Sequence, residues 1–174
     1  MNLDQGRFLN PLNLSEGGSE ADGVNVIDIN PAHQLLSFGM EGSGGTVQFW
    51  DPRSRSRVGL LKLPTSVLSS HSPDLLVNPQ VSVTAMSTRS DGLSLAVGTS
   101  TGHTLLYDLR SARHFALKDQ GYGLPITSLS WIEGGSKMAG DGMVLSADKK
   151  VVKIWDKTNV CTHYSWDSIH ADKS

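Results

Sequence analysis

The sequence predicts an all-β fold, a partial β-propeller of about three four-stranded antiparallel blades. Three observations carry this prediction. Short runs of Val, Ile, Leu, Thr and aromatic residues are broken by Gly, Asp, Ser and Pro, the pattern of strands and tight turns. No helix-length stretch keeps an apolar stripe at helical spacing between credible caps. A three-run pattern ending in an aromatic residue and Asp occurs three times, at Trp50-Asp51, Tyr107-Asp108 and Trp155-Asp156.

The elements follow in order. Residues 1–23 form an N-terminal connecting segment. The first blade, 24–61, has strands expected at 24–29, 35–39 and 45–51, with a weaker fourth at 58–61. Residues 62–80 hold Pro64, Pro73, Pro79 and four Ser without steady alternation, and read as a loop insertion. The second blade, 81–118, has strands at 81–86, 93–98 and 102–108, then 114–117. The third, 119–166, has strands at 126–131, 143–148 and 151–156, then 160–164. A disordered tail is expected at 167–174.

The aromatic-Asp pairs stand 57 and 48 residues apart, longer than the ~40–45 residues of a WD repeat. The 62–80 loop absorbs most of the excess. A unit of this period cannot bury its own faces and must stack on neighbours. Four antiparallel strands repeated radially make propeller blades.

The units resemble WD40 repeats. The third strand of such a blade is covered on both sides, which suits Val47, Phe49, Leu105, Leu106, Val152 and Ile154. Trp50 and Trp155 each bring an indole N–H that needs a partner when buried. In WD blades a second-strand Ser accepts it, and Ser37 and Ser146 are placed to do so. Asp148 fits the Asp that fixes the turn between second and third strands. Gly39, Gly98 and Gly102 are expected in tight turns at φ > 0. These residues, with Asp51, Tyr107, Asp108 and Asp156, are read as structural. One departure is plain. The Gly-His pair that usually precedes the first strand is missing, and the third unit has Gly123-Leu124-Pro125 there. The Asp-His-Ser-Trp network of strong repeats is therefore expected to be incomplete.

Composition narrows the classes. The chain has 174 residues, 15 Lys plus Arg against 17 Asp plus Glu, and a net charge of −2. That excludes a strongly basic nucleic-acid coat. One Cys excludes an internal disulfide framework. No apolar run reaches the roughly 20 residues of a membrane helix, and no secretory signal opens the chain. A soluble, intracellular protein without membrane partners is expected.

Longer stretches at 2–12, 50–61, 96–111 and 118–126 resemble the nucleolar protein 10 family, also called essential nuclear protein 2. Trp50-Asp51-Pro52-Arg53 and Tyr107-Asp108-Leu109-Arg110 carry much of that similarity. The resemblance implies a non-enzymatic scaffold of the small-subunit processome in the nucleolus, with processome proteins as partners and contact with pre-ribosomal RNA left open. It also implies further blades before residue 2 and a charged tail after the propeller, so that this chain is the middle of a longer ring.

Candidate binding residues sit in the turns. Arg53, Arg55 and Arg57 alternate, so an extended segment would set all three on one side to grip phosphates or carboxylates. The same arginines also suit a solvated turn. Arg110 occupies the equivalent place after Tyr107-Asp108. The aromatic-Asp-x-Arg pattern also matches propellers that recruit substrates to cullin–RING ubiquitin ligases. Lys149 and Lys150 flank a turn, while Lys153 points to a rim or a neighbour. No cofactor, metal or small-molecule substrate is expected. The six His show no metal-binding pair, and Cys161, His163, His170 and Asp172 are the nearest approach to one. No phosphate-cradling loop and no nucleophile elbow is present.

Overall fold

The computed structural model describes residues 11–12, 14, 23–42, 44–66, 68, 81–111, 113–133 and 142–156. The first sheet comprises β1 (Val24–Ile29), β2 (Leu36–Met40), β3 (Thr46–Asp51) and β4 (Ser56–Lys62). The second comprises β5 (Val83–Thr88), β6 (Ser94–Thr99), β7 (His103–Asp108) and β8 (Arg113–Asp119). The third comprises β9 (Ser128–Ile132), β10 (Met143–Ala147) and β11 (Val152–Asp156). Each sheet is an antiparallel meander in chain order. A fourth strand for the third sheet, expected at 160–164, lies outside the described residues.

The first strands line up, β1 against β5 and β5 against β9. This is the inner edge of a propeller, with one apolar layer between each pair of blades. Between the first two sheets lie Val47, Leu61, Val83, Leu95, Leu105 and Tyr107. Between the second and third lie Ala96, Leu106, Ile126, Leu129, Val144 and Trp155. Polar side chains stitch the same seams. Asp28 Oδ2 accepts both the N–H and the hydroxyl of Thr88, at 2.7 and 2.5 Å. Asn30 Nδ2 donates to the Gly92 carbonyl at 2.7 Å, and Trp131 Nε1 to the Ser87 carbonyl at 2.9 Å.

Three expectations change. Third-strand burial on both faces holds for β7, whose Leu105 and Leu106 are fully buried. In β3, Phe49 is half-buried, and in β11 so are Val152 and Ile154. Only the middle sheet has a described sheet on each side. Gly39 and Gly98 are not turn residues at positive φ; they lie inside β2 and β6. A Cβ on Gly39 would meet Val83 Cγ1 at 2.5 Å, and one on Gly98 would meet Ile126 at 2.7 Å. Close approach of the next blade requires glycine there. Gly102 does adopt φ 82°. Finally, the first sheet runs one residue into the expected 62–80 loop, most of which (67 and 69–80) lies outside the described residues. Lys62 closes β4, and Leu63 and Leu68 are buried with the first inter-sheet layer.

Candidate partner-binding surface

A buried polar cluster sits where the second sheet passes to the third. The chain leaves β8 at Asp119 and turns through Gln120, whose side chain is buried. Gln120 Nε2 donates to the carbonyls of Ser146 (3.3 Å) and Val151 (3.2 Å). Its Oε1 accepts the Ser146 hydroxyl at 3.0 Å. Ser146 Oγ accepts the Trp155 indole N–H at 3.1 Å. Asp148 Oδ1 holds the β10–β11 turn, accepting the N–H groups of Lys150 (2.5 Å) and Val151 (2.7 Å). Gln120 thus supplies the Ser146–Trp155 side of the network in the absence of Gly-His, but the network stays incomplete at Asp148, whose buried Oδ2 has no hydrogen-bond partner among the described residues. An amide supplies both an acceptor and donors, so it can link serine, tryptophan and turn as one unit. The only sequence signal was a polar side chain in the link between units.

Lys153 is buried rather than displayed on a rim, and its Nζ donates to the Gln120 carbonyl at 2.8 Å. Burial, and then the nearby charge of Lys118, hold its ammonium below the ordinary lysine pKa. Lys149 and Lys150 are exposed in the turn. Lys150 Nζ lies 5.4 Å from the centre of the exposed Tyr122 ring.

In the first sheet the Trp50 indole N–H donates to Gln48 Oε1 at 3.0 Å, not to Ser37. The register gives the reason. Trp50 pairs with Leu36 and Gln48 with Phe38, whereas Ser37 pairs with Phe49. Side chains alternate along a strand, so Ser37 points to the other face. In the second sheet Tyr107 replaces tryptophan, and its buried hydroxyl has no hydrogen-bond partner among the described residues.

β7 and β8 pair so that His103 meets Asp119 and Asp108 meets Arg113. The arginine turn thus lies a strand length from Gln120. Arg53, Arg55 and Arg57 are all exposed, but not on an extended segment. Asp51 Oδ1 accepts the Arg53 N–H at 2.8 Å, and the Asp51 carbonyl accepts the Arg55 N–H at 2.8 Å. These bonds curl 52–55 into a turn, Arg55 sits at φ 57°, and only Arg57 belongs to β4. Arg53 Nη2 reaches Gln34 Oε1 at 3.4 Å, and Arg55 Nη2 the Pro11 carbonyl at 3.2 Å.

The second sheet repeats the device. Asp108 Oδ1 accepts the Arg110 N–H at 3.0 Å. Here the guanidinium also returns, Nε to Oδ1 at 2.9 Å and Nη2 to Oδ2 at 2.6 Å. That fork holds the Asp108 carboxyl down at about 2. The pair is exposed, so it shapes the turn more than it stabilises the fold. Asp156, the third aromatic-Asp residue, is half-buried at the end of β11.

A cleft of about 530 Å³ opens beside Arg110 between the second and third sheets. Arg89, Asp91, Asp108, Arg110, Phe115 and Trp131 are among its walls. Arg89 lies over Trp131, 5.8 Å from the ring centre, with Asp91 at 3.8 Å and Glu133 at 3.9 Å. Except for Arg110, sequence reasoning missed this cleft. Its walls come from separate strands and turns, and only sheet stacking unites them. Among the described residues no group of His, Cys, Asp and Glu could hold a metal ion. The Cys161, His163, His170 and Asp172 set lies outside them.

Comparison with known proteins places this geometry. Residues 1–172 match the family model described as Nucleolar protein 10-like, N-terminal domain. The chain is 54% identical over 159 residues to the ribosome biogenesis protein enp2 homolog of Schizosaccharomyces pombe, covering 90% of this chain and 24% of that protein. It is 45% identical over 159 residues to nucleolar protein 10 of Xenopus laevis, covering 91% and 21%. It is 40% identical over 157 residues to the ribosome biogenesis protein ENP2 of Saccharomyces cerevisiae, covering 90% and 20%. The chain thus spans a quarter or less of the length of these relatives. Among solved structures, the Cps50 (Swd1) β-propeller domain of Myceliophteria thermophila superposes with a TM-score of 0.61 at 14% identity, covering 84% of this chain and 40% of that one. That likeness is one of fold.

Proposed function

Because the chain belongs to the Nucleolar protein 10-like family, we propose that it is the propeller portion of a non-enzymatic scaffold in ribosome small-subunit biogenesis. It acts in the nucleolus, helping to assemble small-subunit processome proteins around precursor ribosomal RNA. The relatives' names, ribosome biogenesis protein and nucleolar protein, support the setting. One observation supports the scaffold role. Asp28, Asn30, Gln120 and Ser146 spend their polar groups holding sheet to sheet or turn to strand. Arg53, Arg55 and Arg110 stand exposed on the strand-end turns, and Arg57 stands exposed at the start of β4. Chemistry is invested in rigidity inside and in charged contacts outside. The arginines are the partner-binding residues of this reading.

The test is assembly. The Arg53→Ala, Arg55→Ala, Arg57→Ala triple variant of the full-length protein should co-sediment with pre-ribosomal particles about tenfold less. Three surface charge contacts at roughly 0.5 kcal/mol each give that loss. Its thermal unfolding should be unchanged. Wild-type incorporation would remove the arginines from the interface. Recovery of cullin–RING ligase components alone, lost on Arg53→Ala and Arg110→Ala, would replace the scaffold with a substrate receptor.

A further inference from the structure

We propose that the cleft beside Arg110 docks a short segment of a partner protein in which a basic side chain neighbours an aromatic or large aliphatic one. The proposal rests on the scaffold reading and gives it a partner chemistry. Its apolar half is Phe115, an aromatic ring 45% exposed on β8 and facing the cavity, with half-buried Trp131 opposite on β9. An exposed ring in a concave site supplies contact area that gains free energy when another apolar side chain covers it.

Charge selects the other half. Two guanidiniums, Arg89 and Arg110, and two carboxylates, Asp91 and Asp108, line the cleft, and a third carboxylate, Glu133, stands beside it at 3.9 Å from Arg89. All three carboxyls lie below their ordinary values. For Asp108 the cause is the Arg110 fork. For Glu133 it is the Ser90 contact. For Asp91 burial pushes upward, but the N–H groups of Leu93 and Ser94, the Ser94 hydroxyl and Arg89 outweigh it. These groups are therefore all ionised at neutral pH, the cleft walls balance two against two, and Glu133 beside Arg89 adds one negative charge in excess. A phosphate backbone is repelled there, and a Lys or Arg is attracted.

Capacity for new hydrogen bonds remains. Arg89 lies 3.8 and 3.9 Å from its carboxylates, beyond hydrogen-bond length, so its N–H groups can donate to peptide carbonyls. Glu133 Oε1 accepts the Ser90 N–H at 3.1 Å, and a carboxylate offers about four lone-pair positions, so the exposed group can still accept from a basic side chain.

The experiment is selection of random peptides displayed on phage against the purified full-length protein. A synthetic peptide of the enriched sequence is then titrated by fluorescence anisotropy. Enriched peptides should carry Arg or Lys beside Phe, Tyr, Trp or Leu. Phe115→Ser should weaken binding about tenfold or more. Glu133→Gln should weaken it about threefold and flatten its salt dependence. Val58→Ser, on the first sheet, should have no effect. Phe115 and Glu133 are exposed, so both variants should unfold at the wild-type temperature. No enrichment, enrichment of acidic peptides, binding indifferent to Phe115→Ser, or tighter Phe115-dependent binding of a decauridylate RNA would each overturn the proposal. Protein that selects no such peptide yet co-sediments with pre-ribosomal particles fails the cleft alone. Protein that selects peptides but stays out of the particles fails the scaffold reading alone.

Discussion

Trp50, Tyr107 and Trp155 occupy matching places at the ends of third strands, and each meets burial differently. Trp155 gives its N–H to Ser146, Trp50 gives its own to Gln48, and the Tyr107 hydroxyl has no partner among the described residues. A buried hydroxyl without a bond carries a desolvation cost that removal relieves. Tyr107→Phe should therefore raise stability by up to about 1 kcal/mol, read as a midpoint shift of a few degrees in calorimetry. Burial also pushes the Tyr107 phenol above its ordinary range. The folded state thus holds this proton more tightly than the unfolded chain, whose phenol ionises near pH 10. The wild type should lose stability as pH rises beyond that point, and the phenylalanine variant should lack that loss. Destabilisation by Tyr107→Phe at neutral pH would mean that the hydroxyl has a partner in solution. The Ser146–Trp155 pair is readable in the sequence because β10 and β11 join through a tight turn that fixes their register. The Ser37–Trp50 pair is not, since β2 and β3 are joined by a longer link and the register puts Ser37 on the opposite face.

At the scale of the element, strands are readable because alternation and turn residues survive without neighbours. What joins one sheet to the next is not, because it depends on side chains that meet only after stacking. Gln120 shows the difference. A pattern built on Gly-His finds a gap, while the fold finds an amide that makes three bonds across β10 and the turn before β11. Gly39 and Gly98 show it again, since their lack of a side chain is required by Val83 and Ile126 of the next blade. The same blindness hid the cleft, whose aromatic walls, Phe115 and Trp131, belong to different sheets. The amide makes a sharp prediction. Gln120→Leu keeps much of the volume but leaves the Ser146 hydroxyl and two carbonyls with lost partners. It should cost about 2–3 kcal/mol in urea unfolding. A cost below roughly 0.5 kcal/mol would mean that apolar contact alone locks the second sheet to the third.

For the whole molecule, the two outer faces decide behaviour. On β1, Val26 and Asp28 turn toward the second sheet, while Ile27 and Ile29 turn away and are 60% and 61% exposed. They pair with Phe38 and Leu36, so they belong to one apolar face of the first sheet. Part of that face is already covered, since Leu12 and Leu14 pack with Phe38, Met40 and Trp50. Val152 and Ile154 lie across β11 from the buried Lys153 and Trp155 and make the corresponding face of the third sheet. Propellers close with four to eight blades, and the relatives are at least four times as long as the matched region. A polypeptide of these 174 residues alone should therefore cover its apolar sheet faces by self-association. Sedimentation should report a concentration-dependent mass above 18.7 kDa. Ile27→Thr with Ile29→Thr should shift the distribution toward monomer without lowering the unfolding temperature, because neither side chain packs in a core layer. A wild-type chain that stays monomeric at high concentration would show that its own remaining residues cover both faces. The three sheets would then be a finished unit rather than an arc of a ring.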